Sequence, residues 1–294
     1  MLLRFKYAAP STKAELLELL AGQDRARGPA SGPASGPATE HASAAERSSV
    51  KLLAGGTDLL VNIRGGVIRP SLVVDVKKVA GFSGISWSET EGLIIRPAVT
   101  INEVLSDRAV AARYPLLAEC ARDLASYQIR NRATVAGNVV NASPCSDMAP
   151  ALLCLGATAV LASARGEREL SFKEFFKGVK KTAIAADEVL ERILVPASSQ
   201  GARGSYRKLK RIAGHDLGIV GVAICKKGGR LSLGISSSAP TPVLVDGLDV
   251  SSSEEVLVEA ARKAISPISD LRCSKEYREF MVETFVRRLA REVA

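Results

Sequence analysis

The sequence predicts an α+β fold of two domains, and three observations carry that expectation. Short runs of branched apolar residues (Leu72–Val76, Leu93–Ala98, Thr158–Ser163 and Val189–Pro196) have the length and composition of strands. Between them lie helical patterns that open on capping residues, as at Thr12-Lys13-Ala14-Glu15 and Thr100-Ile101-Asn102-Glu103. A small, polar stretch from Ala197 to Gly204 follows the proline that closes the last of these strands. At 294 residues the chain can bury a sizeable core and suits two domains, assigned to residues 1–183 and 184–294.

Taken in order, Leu2 to Tyr7 reads as a strand, and Leu16, Leu17, Leu19 and Leu20 give the first helix an apolar side that Gly22 is expected to end. Residues 23–48 form a low-complexity insert in which Gly28 to Ala38 repeats Gly-Pro-Ala-Ser; it cannot build a core and reads as a flexible surface loop. Val50 to Leu53 is a strand that runs into a glycine loop, after which Leu59, Leu60 and Ile63 suggest a helical turn or two. Helices are expected from Thr100 to Ala112, from Pro115 to Ser126, and around Pro150, the last capped by Ser146 or Asp147. Gly218–Cys225 and Leu231–Ser236 form a hairpin across Gly228-Gly229. Two helices finish the pattern, from Ser253 to Ala264 and from Lys275 onward. In the second, Tyr277, Phe280, Met281, Phe285 and Leu289 share a side expected to pack into the core.

Composition narrows the function. The net charge of +9 is spread along the chain, densest from Arg203 to Arg211; this fits a solvated face as well as a surface for an anionic cofactor, an acidic redox partner or a membrane. Aromatics at 4% argue against a stacking platform for single-stranded nucleic acid. Arg4 and Lys6 interrupt any signal-peptide pattern, and the apolar run Ala149–Ala162 is too short to span a bilayer. The five cysteines lack any C-x-x-C, and Cys120, Cys154 and Cys225 lie in apolar surroundings, so a reducing cytoplasm is expected and an iron–sulfur cluster in this chain is not. His41 and His215 cannot make a conventional zinc site on their own.

Two segments stand apart from the scaffold. Ala54-Gly55-Gly56-Thr57-Asp58 follows an apolar strand, and Thr134-Val135-Ala136-Gly137-Asn138 leads into Ala142-Ser143-Pro144-Cys145-Ser146-Asp147. Small residues let backbone N–H groups approach an anion closely, and Thr57, Asp58 and Thr134 add polar side chains. Neither segment has the spacing G-x-G-x-x-G or G-x-x-x-x-G-K-[ST], which disfavours a Rossmann fold or a phosphoryl-transfer enzyme. Two such loops suggest a clamp on a diphosphate; two ordinary turns are the plainer alternative. Asp147 is open to two roles, a helix cap or a ligand to a ribose hydroxyl.

The order of these segments resembles the FAD-binding (medium) subunit of the molybdenum hydroxylases, the family that includes carbon monoxide dehydrogenase and xanthine dehydrogenase. Its pattern is matched by Phe5-Lys6-Tyr7, Ala54 to Leu59, Gln128-Ile129-Arg130-Asn131, Thr134 to Asn138, and Ala142-Ser143-Pro144 with Asp147. Lys181-Thr182, Asp187-Glu188-Val189-Leu190, Tyr206 to Arg211 and Tyr277-Arg278 continue it, so the likeness spans nearly the whole chain outside the insert.

The resemblance implies a two-subdomain FAD-binding domain of the PCMH type, as in FAD-linked oxidases, and a small α+β C-terminal domain with an antiparallel sheet and helices. It implies that Leu53, Ala54, Gly55, Gly56, Thr57, Asp58 and Leu59, with Thr134, Ala136, Gly137 and Asn138, hold the diphosphate of FAD. Asp147 would meet the polar part of the cofactor, and Leu190 and Lys208 would lie near the flavin, where a cation raises its potential. Leu217 would face the isoalloxazine ring, or His215 would serve there as a proton relay. Ala136 departs from the family pattern by standing where glycine is usual. The cysteines of the four-iron insert found in one branch are missing. No catalytic side chain and no metal on this chain are implied. Molybdenum cofactor and [2Fe–2S] clusters would belong to a large and a small partner subunit, in a dimer of heterotrimers that passes electrons to an external acceptor. A self-contained flavoenzyme of the same fold, or a scaffold subunit without FAD, are the alternatives.

Overall fold

A computed structural model describes residues 4–27, 50–212, 214 and 216–293; the Gly-Pro-Ala-Ser repeat, His41 and His215 lie outside the described residues. The chain opens with a parallel β-α-β-α-β unit: β1 (Lys6–Ala8), α1 (Lys13–Arg27), β2 (Val50–Leu53), α2 (Leu59–Arg64) and β3 (Leu72–Asp75), with strand order β1-β3-β2. The start of α1 is capped as expected, Glu15 N–H donating to Thr12 Oγ1 at 3.2 Å while its carboxylate accepts from Ser11 N at 2.8 Å. Gly22 does not end this helix. A glycine inside a helix costs only about 1 kcal/mol, less than the burial of Leu16 and Leu20 contributes.

Next come the hairpin β4 (Ile85–Ser88) and β5 (Gly92–Ile95), then α3 (Ile101–Ser106) and α4 (Arg108–Arg113). The capping box at Thr100 and Glu103 is present, but the single helix expected to Ala112 is cut at Asp107. The Asp107 carboxylate accepts from Val110 N at 2.9 Å and starts a new helix, the competition with helix continuation that aspartate commonly wins. Then follow α5 (Pro115–Asp123), α6 (Tyr127–Arg130), α7 (Val135–Val140), α8 (Ala149–Cys154), β6 (Thr158–Ser163), β7 (Gly166–Ser171), α9 (Phe172–Phe175), the small pair β8 (Phe176–Gly178) and β9 (Lys181–Thr182), and β10 (Val189–Val195). A five-stranded antiparallel sheet runs in the order β4-β5-β10-β6-β7. β10, which an assignment breaking at 183/184 gives to the second domain, is the central strand of the first domain's sheet. The chain leaves that sheet only at Pro196.

The second domain is an antiparallel sheet of β11 (Arg203–Leu209), β12 (Val220–Lys227), β13 (Arg230–Ser236) and β14 (Val243–Asp249), with α10 (Glu254–Ala264) and α11 (Lys275–Val293). The hairpin turn falls on Gly228 and Gly229, at φ of 52° and 77°. Alternation along β12 serves two cores. Val220, Val222 and Ile224 pack with Leu257, Val282, Phe285 and Leu289 of the two helices, whereas Ala223 and Cys225 join Leu116, Ala149 and Leu152 of the first domain. On α11, Met281, Phe285 and Leu289 are buried as expected, but Tyr277 and Phe280 are exposed at 45% and 61%. Arg278 occupies the inward position beside them, at 1% exposure.

Arg278 ties this domain together. Its guanidinium donates to the backbone oxygens of Ile219, Ser237 and Ile268 and to Asp270, so three backbone carbonyls and a carboxylate meet at one side chain. Arg278→Met is expected to lower unfolding stability by about 3–5 kcal/mol in urea titrations, because it leaves the buried carbonyls of Ile219, Ser237 and Ile268 without this donor and removes one of the two cations on Asp270. Arg278→Lys should recover only part, since an ammonium cannot span the same acceptors.

Arg272, with Arg278 behind it, holds the Asp270 carboxyl well below the usual carboxylate range. The stability this gives is full above about pH 4 and is lost as pH falls through the lowered value. Asp270→Asn should therefore show a shallower loss of stability below about pH 4 than the parent, read from urea midpoints across that range.

Candidate functional site

The first glycine loop sits where β2 ends and α2 begins. Beneath it Tyr7 donates to Asp75 at 2.8 Å, and Lys77 bridges Asp75 at 2.7 Å to the backbone oxygen of Ala54 at 3.0 Å. Burial pushes the Asp75 carboxyl up, but Lys77 and Tyr7 outweigh it and leave the group below its ordinary value. This brace fixes the base of the loop, and it was not foreseen: β3 was expected, but nothing in its sequence marks Asp75 as a partner of Tyr7.

The loop itself keeps its donors free. Among the described residues, the N–H groups of Gly55, Gly56, Thr57 and Asp58 donate to no protein acceptor. Gly56 has φ of 76°, and a Cβ on Gly55 would collide with the backbone of Arg132 and Ala133. The two glycine segments, distant in sequence, are thus pressed together backbone to backbone. Leu53 closes the strand opposite Asp75, Leu59 begins α2, and Asp58 is exposed without capping that helix through its side chain.

The second segment is built on helix ends. Arg130 donates to the backbone oxygens of Arg122, Leu124 and Ala125 and so closes the end of α5; Asn102 links Asn131 to Tyr127. Thr134 caps α7, its hydroxyl accepting from Gly137 N at 2.9 Å, and it bridges Thr100. Ala136 and Gly137 are helical, so Ala136 does not require the positive φ that would call for glycine. Asn138 faces the following segment: its carbonyl oxygen accepts from Ser146 Oγ at 2.6 Å and from Met148 N at 3.3 Å. Ser146 Oγ also accepts from Ala149 N at 3.3 Å, but the N-cap position of α8 falls on Met148 with no side-chain cap, so neither Ser146 nor Asp147 is the cap residue expected there.

Asp147 instead reaches the second domain. Its carboxylate lies 2.8 Å from Lys208 Nζ and 3.4 Å from the hydroxyl of Tyr206, both on β11. Burial pushes the Asp147 carboxyl up, and the Lys208 charge draws it part of the way back. The structure therefore brings Asp147 and Lys208 together as a pair. Leu190 is a core residue at 3% exposure, opposite Leu161, and Leu217 stands exposed at 61% on the connection between β11 and β12. Among the described residues no group of three or more His, Cys, Asp or Glu side chains could hold a metal ion. Nor is any helix among them long and apolar enough to cross a membrane.

A parallel unit with one glycine loop after its second strand, a second loop against it, and a small second domain packed on the first make the frame of an FAD-binding flavoprotein module. Residues 3–198 match the family model described as the FAD binding domain in molybdopterin dehydrogenase. The chain is similar to the carbon monoxide dehydrogenase medium chain of Hydrogenophaga pseudoflava, 32% identical over 255 residues that cover 82% of this chain and 88% of that one. It is also similar to the nicotine 6-hydroxylase medium subunit of Paenarthrobacter nicotinovorans, 30% identical over 253 residues covering 81% and 87%. Among solved structures, a chain of the carbon monoxide dehydrogenase from Hydrogenophaga pseudoflava has a TM-score of 0.83 at 28% identity, covering 100% of this chain and 98% of that one. The chain belongs to this family and is a flavoprotein subunit of the oxidoreductase class, the medium FAD-binding subunit of a molybdenum hydroxylase.

Gly55→Ala must move the two loops apart, and FAD affinity is expected to fall at least about tenfold in fluorescence titrations of the apoprotein. Ala136→Gly, which restores the family residue, should leave affinity within about threefold while costing roughly 1 kcal/mol of stability in helix α7.

Proposed function

We propose that this chain holds FAD across the two glycine loops and relays electrons within a multi-subunit hydroxylase. The observation that carries the reading is the cradle at Gly55–Asp58: unpartnered N–H groups, a Gly55 whose Cβ would strike the backbone of Arg132 and Ala133, and a Gly56 at positive φ. Such a cradle fits a diphosphate, whose charges need donors when taken out of water. FAD held there would supply the redox chemistry of a relay between [2Fe–2S] clusters on a small partner subunit, served by a molybdenum site on a large one, and an external acceptor.

The chain's own residues bind and orient. On this reading Leu53 to Leu59 and Thr134, Ala136, Gly137 and Asn138 line the diphosphate, mainly through backbone N–H groups. Thr134 Oγ1 and Asn138 Oδ1 already serve Gly137 and the segment beyond, so their part is to shape the pocket. Leu217 offers an exposed apolar side chain for the ring to cover. The domain division is drawn after β10, in residues 196–202, so the second domain closes over a first domain whose sheet is complete. The relatives named as medium chains and subunits support an assembly with large and small partners, here taken as a dimer of heterotrimers in the cytoplasm, peripheral to the inner membrane face.

The purified chain, reconstituted with FAD, is expected to take up about one flavin per chain and show the two visible flavin bands. Absence of bound flavin would instead indicate a scaffold subunit. Co-purification with a molybdenum-containing and an iron–sulfur polypeptide is the expected result for a relay, and isolation as a lone, substrate-reducible flavoenzyme would contradict it.

A further inference from the structure

In the first glycine loop three carbonyls have donors while the amides beside them do not. The oxygen of Leu53 accepts from Val76 N at 3.1 Å, that of Gly56 from Leu60 N at 3.0 Å, and that of Ala54 from Lys77 Nζ at 3.0 Å. The first two donors are backbone amides; the third is a charged side chain. Across a trans peptide the C=O and the N–H point in opposite directions, and no peptide among the described residues is cis. An ammonium on Ala54 O therefore turns the N–H of Gly55 away from itself, and that N–H has no acceptor in the protein. The ammonium is held in turn. One oxygen of Asp75, a residue at 6% exposure, takes Lys77 Nζ at 2.7 Å and Lys77 N at 2.9 Å, and the other takes the Tyr7 hydroxyl at 2.8 Å.

We propose that Lys77, held by Asp75 and Tyr7, is a positioning residue for the cofactor's diphosphate, orienting and polarising the Ala54–Gly55 peptide so that the Gly55 N–H donates to it. The inference rests on the proposed reading of the cleft as an FAD site. A hydrogen bond from an ammonium is stronger than one from an amide, and it draws electron density toward the carbonyl, which makes the N–H of the same peptide a better donor. Asp75 and Tyr7 contribute by fixing where the ammonium sits. With one oxygen turned to Tyr7, Asp75 shares Lys77 with Ala54 rather than drawing it away. The line Tyr7, Asp75, Lys77, Ala54 O thus runs from β1 through β3 to the loop, and each member acts on the cradle only through the next.

Fluorescence titration of the full-length apoprotein with FAD tests this, with ADP as a competitor that carries the diphosphate without the flavin. Lys77→Met keeps the apolar stem and removes the donor. It is expected to weaken FAD and ADP alike by about tenfold, with the visible bands of bound flavin unchanged. Tyr7→Phe, at a half-exposed position, frees Asp75 to draw the ammonium off Ala54, and both constants should rise about threefold. The double variant should bind as Lys77→Met does, since Tyr7 has no other route to the loop. Should Lys77→Met fail to fold in urea titrations, Tyr7→Phe decides alone. Affinities that either folded variant leaves unchanged overturn the proposal. So do losses that multiply in the double variant, or a loss for FAD with altered bands and none for ADP. A parent chain that takes up no FAD, or whose FAD is not displaced by ADP, overturns the reading of the cradle itself, and is told apart because it is seen before any substitution.

Discussion

The structure depends on β12 being buried on both faces. A strand with one wet face alternates apolar and polar residues; here Val220 through Cys225 is apolar or small throughout, and every one of these residues is buried. One face meets α10 and α11 and makes the second domain a stable unit. The other meets α5 and α8, so the second domain cannot rotate away without exposing Ala223, Cys225 and the helix residues packed on them. Each fully buried aliphatic side chain contributes about 1.5–3 kcal/mol, so an apolar seam of this kind holds two domains as one body, where polar interfaces permit hinge motion.

That seam brings charged groups to a place where charge is expensive. Asp147 and Lys208 lie at the edge of the apolar contact between the domains, and neither could remain there alone in its charged form. Their pairing is the price of threading a polar connection between the domains, but it also gives the seam a register that apolar packing cannot supply. Apolar side chains tolerate sliding by fractions of an ångström; a carboxylate facing an ammonium and a phenol does not. The glycine loops lie on the first domain, and this pair is one of several polar connections that reach it from the second, beside Ser237 N to Pro144 O, Arg272 to Cys145, Tyr206 N to Glu119 and Lys210 to Asp123.

Much of the fold was legible because its elements carry local signals. Val50–Leu53 and Thr158–Ser163 are strands with the predicted bounds, and the Gly-Gly hairpin and the caps at Thr100 and Ser253 are where their chemistry puts them. What escaped notice was set by partners distant in sequence. α7 lies inside what reads as a glycine loop, and it is helical because Thr134 caps it and Ile101 and Val135 anchor it to the turn before α3. Tyr277 and Phe280 looked like core on helical periodicity, yet Arg278 took the inward position because three carbonyls and Asp270 were waiting for a fork of donors. Periodicity ranks apolar residues and is blind to a buried cation that caps a network. In the same way the site residues were legible as a set, while the pairing of Asp147 with Lys208 was not, since no spacing links a loop to a strand in the other domain.

The family's glycines in the second segment can have two physical origins, and this chain separates them. One origin is a positive φ, which only glycine adopts without strain; the other is close approach, where any Cβ would collide. Ala136 sits in a helical turn and is buried with its methyl accommodated, so neither reason applies at that position. Gly137 is helical too, but a Cβ there would come within 2.9 Å of Thr134 Oγ1, the atom that caps the helix through the N–H of Gly137 itself. Its small size therefore protects the cap at the start of α7. Gly55 meets the stricter form of the same constraint, with backbone rather than side chain in the way. The loss of one glycine from the pattern thus leaves the contact between the loops intact, because that contact is made by Gly55 against the backbone of Arg132 and Ala133, where a side chain has no room.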